Sequence, residues 1–392
     1  MTARAAISRA TVLRLGFGQL VSWGVTYYLV GVFAPRIAAD LGWSLSAVQG
    51  GFAVGLLAMA LSSPAAGRAI DALGGRRVMT AGALVGAAGC GALALAHSAP
   101  AYYGAWVVIG VSMRLSLYDA AFAALARIAG PEAKSAMAQI TLLGGLASTV
   151  FWPVGDGLAE LFGWRVAVGC YGLFSAAAAL LNWSIPEGRY APPPPSPIAE
   201  DAPEPVRRGS RRAAALYALS VALVGSLNSA MSAHMIGILT GLGLALQAAV
   251  WIGALRGFGQ IAARGSEVLF GARIAAVDLN LTAAALLPLG FAAGFGAPFL
   301  GAAVAFSLLF GAGNGLSTIT RGTLPLALFD ARTYGSLVGR LIAPSFLLSA
   351  AAPVVYALVI ERFGASAALW LSLAIATGAL GAALGLKALS RA

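Results

Sequence analysis

Runs of roughly 20 apolar residues, each long enough to cross the hydrocarbon core of a bilayer, recur along the whole 392-residue chain. Twelve can be marked out, at 11–34, 46–66, 77–96, 101–125, 136–160, 164–185, 213–240, 246–271, 277–293, 297–324, 333–360 and 364–388. Water does not solvate that much apolar surface: only 10% of the residues are charged, against roughly 25% in a soluble domain. In lipid a single segment satisfies its backbone hydrogen bonds internally only as a helix. The pattern therefore predicts an all-α membrane protein with twelve transmembrane helices.

Short turns separate most runs, and the exception organises the chain. Residues 186–212, including EGRYAPPPPSPIAEDAPEPVRRGSRR, are rich in proline and charge and hold too little apolar surface for a core. They predict an extended cytoplasmic linker between a first six-helix bundle (1–185) and a second (213–392). The bundles also repeat. P-V-x-x-x-L-x-E-x-F-G runs from Pro153 to Gly163, and P-V-x-x-x-L-x-x-E-x-F-G from Pro353 to Gly364. Two halves related by such a pseudo-twofold place a substrate between them near the bilayer midplane.

Of the 25 basic residues, eighteen fall at the ends of runs on the side of the N-terminus. Three (Arg36, Arg165 and Arg362) fall on the other side, and four (Arg14, Arg114, Arg256 and Arg340) lie inside helices. The positive-inside rule then puts both termini and the linker in the cytoplasm. The net charge of +11 does not point to nucleic acid, because the basic residues stand singly or in pairs without a stripe or aromatic interleaving. The basic start, MTARAAISRATVLR, leads into a run too long for a signal-peptide core and reads as the cytoplasmic end of helix 1. Cys90 and Cys170 lie within apolar runs, without metal-like spacing.

Between the second and third runs stands GRAIDALGGRR, with Gly67, Asp71, Gly74, Arg76 and Arg77 in the pattern G-x-x-x-D-x-x-G-x-R-R. This loop resembles the cytoplasmic loop between helices 2 and 3 of the major facilitator superfamily. The resemblance implies two six-helix bundles, with the aspartate capping a neighbouring helix and the arginines anchoring at lipid headgroups. The second-half counterpart, ARGSEVLFGAR (263–273), keeps Glu267 and Arg273 but not the double arginine. GVFAPRIAADLGWS (31–44) is similar to the start of bacterial monocarboxylate porters and oxalate:formate antiporters, which carry small organic anions. LYDAAFAALAR (117–127) resembles a proteobacterial group of facilitators. GGLASTVFWP (144–153) departs from the G-x-x-x-G-P pattern of drug:proton antiporters. The resemblance implies a bacterial inner-membrane carrier.

Charge at membrane depth costs roughly 2.5–3.5 kcal/mol on insertion scales, so it persists facing water, a partner or a substrate. Arg114 in helix 4 and Arg256 in helix 8 predict a positive midplane site for a carboxylate, for which guanidinium forks are suited; the alternative is permanent pairing inside the protein. Arg340 in helix 11 is either the second cation that the oxalate:formate resemblance implies, with Arg256, or an inner gate. Tyr27 and Tyr28, after Trp23, either floor the site or join the interfacial belt. His234 and Asn314 are placed by the resemblance on cavity-lining helices. Asp119 either carries a proton or forms a fixed pair with Arg14 or Arg127, and Asp156 either gates or lies at the interface.

With no nucleotide loop, metal cluster or nucleophile–base spacing, the expectation is no enzyme and no cofactor. The expected function is secondary active transport of a small organic anion by alternating access, drawing on H⁺ or a counter-anion. The alternative is a carrier of a larger aromatic or neutral metabolite. The expected partners are the substrate and the lipid bilayer, the protein being a monomer.

Overall fold

In the computed structural model, which describes residues 7–191, 210–270 and 274–391, the apolar runs fold as helices, and no strand occurs among the described residues. Linker residues 192–209, and with them Arg207 and Arg208, lie outside the described residues, as do Arg4 and Arg273. Helix α1 (Arg9–Ser22) starts at Ser8, whose hydroxyl accepts from the Thr11 amide at 3.1 Å. It passes through one π-helical turn, Trp23–Tyr27, into α2 (Leu29–Leu41). Next come α3 (Leu45–Leu73), capped by Ser44, and α4 (Gly75–Ala94), with the reversal at Gly74, φ 87°.

The fourth and fifth runs are each broken. An extended residue, Leu117, separates α5 (Ala99–Ser116) from α6 (Tyr118–Ala129). Residues 145–146 separate α7 (Lys134–Gly144) from α8 (Ala147–Phe162), and α9 (Trp164–Trp183) follows. Beyond the linker lie α10 (Arg211–Gly241), α11 (Leu246–Phe270), α12 (Ala276–Gly294), α13 (Leu300–Leu328), the short α14 (Tyr334–Leu341) and α15 (Ala343–Arg391).

The internal repeat has a matching backbone. Its first copy ends at Gly163 (φ 81°, ψ 157°) and its second at Gly364 (φ 82°, ψ 175°), where α15 is kinked. Side chains are excluded from that region of φ/ψ space, so each copy requires glycine there. Among the described residues nine helical stretches are long and apolar enough to cross a membrane. Their surfaces expose leucines such as Leu61 (82%) and Leu180 (76%), which lipid rather than water must cover.

The chain divides into two compact units, one of Met1–Arg189 with Thr333–Ala343, the other of Tyr190–Arg332 with Pro344–Ala392. The first thus contains α14, a segment lying far beyond the linker in sequence. Its interior includes Tyr102, Trp106 and Ile109, all buried. The second unit is built on a cluster including Leu227, Met231, Phe291, Phe306, Tyr356 and Leu369.

Candidate functional site

In the first unit, the loop aspartate holds α14. Asp71 Oδ1 accepts from the Gly335 amide (2.9 Å), and Oδ2 from the Ser336 amide (2.6 Å). These are first-turn N–H groups of α14 that have no partner within the helix, and the carboxylate also complements the helix dipole. The contact is possible because the backbones nearly touch: a Cβ on Gly67 would overlap the Gly335 carbonyl oxygen. One turn deeper, Ser63 donates to the Gly339 carbonyl (2.6 Å) and accepts from Arg114 Nε (2.8 Å). The short helix is therefore held at its positive end by a carboxylate and near its negative end by an arginine-backed hydroxyl.

Four arginines of this unit take defined partners. Arg114 is 2% exposed, in the last turn of α5, with Ser63 as a partner. Helix 4 ends early at Leu117, so Arg114 lies at a helix end instead of mid-helix. Arg76 turns inward from the headgroup position: its Nε donates to the Ile185 carbonyl (2.7 Å), and Nη1 lies 3.6 Å from Glu187. The carbonyls after α9 lack helical partners, and the arginine satisfies one of them. Arg77, more exposed, lies 4.0 Å from the same Glu187. Arg127 joins this junction, donating to the carbonyls of Asp71 (3.1 Å) and Gly188 (2.7 Å).

The second unit carries a different polar array. Arg256, partly exposed on α11, donates through Nη1 to Ser232 Oγ (3.0 Å), and Ser232 donates to the Asn228 carbonyl (2.7 Å). Asn314 Nδ2 donates to Asn228 Oδ1 (2.8 Å). Thr318 donates to the Asn314 carbonyl (3.0 Å) and accepts from Arg264 Nη2 (3.2 Å). The array connects α10, α11 and α13. It is brought together by the GAGNG stretch, since Gly311 and Gly315 lie against the backbones of Arg256 and Gln260. Those glycines are packing surfaces of the small-residue kind common between membrane helices.

Other expected residues fall into separate settings. His234 Nε2 lies 2.8 Å from the Pro353 carbonyl, a helix-to-helix tie. Arg340 is exposed on α14, and its Nε donates to Ser336 of its own helix (3.3 Å). Asp156 pairs with Arg36 at 2.8 Å. Asp119 occupies the first turn of α6 because of the break at Leu117. Tyr27 and Tyr28 belong to an aromatic group around the π-helical turn. Trp23 lies 4.9 Å from Tyr27, Tyr27 4.9 Å from Phe52, and Tyr28 6.3 Å from Trp152, between ring centroids.

The model of the Major Facilitator Superfamily matches residues 15–339. The chain belongs to that superfamily. As a facilitator it is an integral membrane transporter rather than an enzyme. Its fold is similar to that of the human organic anion transporter MFSD10 (TETRAN), with a TM-score of 0.69 over 96% of this chain and 99% of that one, at 19% identity. It is similar as well to the proton:xylose symporter XylE bound to 6-bromo-6-deoxy-D-glucose, with a TM-score of 0.73 over 97% and 95%, at 13% identity. At such identities the likeness is one of fold. No match was found among curated protein sequences.

Within this facilitator, sequence reasoning missed Ser63, Asn228, Ser232 and Thr318, because serine, threonine and asparagine are unremarkable in membrane helices. Arg264, counted with the basic residues near the ends of the runs, is buried at 6% exposure within α11, which that count did not foresee. The spacing of Arg256, Gln260, Arg264 and Glu267 at i, i+4, i+8 and i+11 was the available signal, since it places all four on one helix face.

Proposed function

We propose that this facilitator is a secondary active transporter of a small organic anion, a carboxylate, working by alternating access in a bacterial inner membrane. The observation that carries the reading is Arg256, partly exposed at mid-helix and hydrogen-bonded to Ser232. Ser232 Oγ, itself bonded to the Asn228 carbonyl, is a hydroxyl that can rotate to a new partner around an incoming anion. A guanidinium can bind a carboxylate through two parallel bonds and replace its lost hydration. The organic anion transported by MFSD10 supports this class on the same fold, and the GVF…GWS resemblance supports the monocarboxylate and oxalate:formate branch. H⁺ or a counter-anion supplies the driving gradient.

Twelve spans in two bundles, with both termini cytoplasmic, fit this reading. The stretches Ala99–Phe162 (64 residues) and Ala331–Ser390 (60 residues) each have length for two crossings, and α11 adds another. Arg114, Asp71 and Gly67 then act as a latch on α14, and Arg340, on the same short helix, as the inner gate or second cation. Asp119 and Asp156 remain proposed coupling or gating residues, His234 and Asn314 residues flanking the anion. The reading is tested with the purified chain in proteoliposomes and labelled formate, oxalate and succinate. Uptake should fall to background in Arg256→Ala, and uptake that persists there would remove the mechanism.

A second reading is favoured by the rings of Trp23, Tyr27, Tyr28, Phe52 and Trp152. A larger aromatic metabolite would use them as a stacking surface. Stabilisation by aromatic vitamins and not by small acids, in a thermal-shift comparison, would select it.

A further inference from the structure

Arg264 lies eight residues beyond Arg256 on α11, about 12 Å along the helix axis, and Glu267 follows it on the same face. Both are 6% exposed, and Glu267 is the only carboxylate so deeply buried among the described residues. Side chain to side chain hydrogen bonds are a small minority in folded proteins, yet three of them occur in the array joining the two arginines. Exposure falls along that array. Ser232 is exposed, Arg256 partly so, Asn314 is 8% exposed and Arg264 6%.

We infer that Arg264 is a second anion-binding station, receiving the carboxylate handed on from Arg256, and that Glu267 is the internal counter-ion the substrate displaces. The inference rests on the anion reading above. A lone guanidinium buried this deeply would hold a carboxylate too well, and a ground state bound more tightly than the transition state slows turnover. A glutamate one turn away removes that trap, since its return to the guanidinium expels the anion. The station suits mono- and dicarboxylates small enough to meet a guanidinium edge-on.

The test uses the full chain in proteoliposomes with labelled oxalate and succinate, on variants confirmed monodisperse. Glu267→Gln should lower KM and turnover together, each by about tenfold, because the bound anion is no longer displaced. Arg264→Gln should lower turnover by about tenfold while thermal-shift affinity stays within about threefold, and Arg264→Lys should recover part of the rate. The double variant Arg264→Gln/Glu267→Gln should remain slow. A structural ion pair predicts the opposite, since removing both charges together leaves no uncompensated charge. A double variant transporting like the wild type, or Glu267→Gln with an unchanged KM, therefore overturns the station. If neither probe binds the wild type, or Arg256→Ala still transports, the anion reading itself fails and the station with it.

Discussion

Arg114 and Arg264 are nearly equally buried, one in each unit, yet their surroundings differ in kind. Both donate to a hydroxyl that bonds to main chain, but the Arg114 hydroxyl lies between helices packed at glycine distance. Arg264 ends an array of hydroxyls and amides that reaches a partly exposed arginine. Burial by itself therefore does not mark a binding group in a membrane helix. A guanidinium tied through one hydroxyl between closely packed helices stabilises one conformation, whereas one linked through hydroxyl and amide groups to a partly exposed arginine can exchange partners.

The strongest way to break this comparison is at Gly67. Gly67→Val drives a side chain into the Gly335 carbonyl, so α14 should leave its seat and uptake should fall to background. Overpacking of this sort costs about 1–3 kcal/mol, and more where backbone blocks relief. Arg114→Ala comes next, with an expected loss of about 3 kcal/mol in stability and an unchanged thermal response to carboxylates. A lost carboxylate response would make Arg114 a binding residue after all.

Smaller changes sharpen the contrast. Asp71→Asn keeps one acceptor for α14 but loses the charge, and should cost about 1 kcal/mol in thermal unfolding. Ser232→Ala removes a neutral partner of Arg256, worth about 0.5–1.5 kcal/mol, and should raise KM several-fold with little effect on Tm. Arg36→Ala breaks a pair whose side chains are 34% and 55% exposed. After solvent screening it should change stability by less than about 0.5 kcal/mol, and a larger effect would make the Arg36–Asp156 pair a gate.

The helical runs, and the glycines that end both repeat copies, could be read directly because hydrophobic length and φ/ψ restriction are local properties. Asp71 and Gly67 were visible in the loop, but their partner Gly335 lies 264 residues beyond Asp71, out of reach of any periodicity argument. The setting of Arg114 was left open between a substrate and an internal partner, and nothing in an apolar run announces the break at Leu117 that puts the arginine in the last turn of α5. The burial of Arg264 was not foreseen from its place near the end of an apolar run. Its burial depends on Asn314 and Thr318 of α13, which the glycines of that helix bring close.

The most direct measurement compares the thermal stabilisation of Arg256→Ala and Arg114→Ala by oxalate, each against its own ligand-free Tm. Arg256→Ala should unfold near the wild-type temperature and show no oxalate response, while Arg114→Ala should unfold earlier and keep it. The reverse pattern, or an oxalate response retained in Arg256→Ala, would contradict the assignment of anion recognition to the second unit.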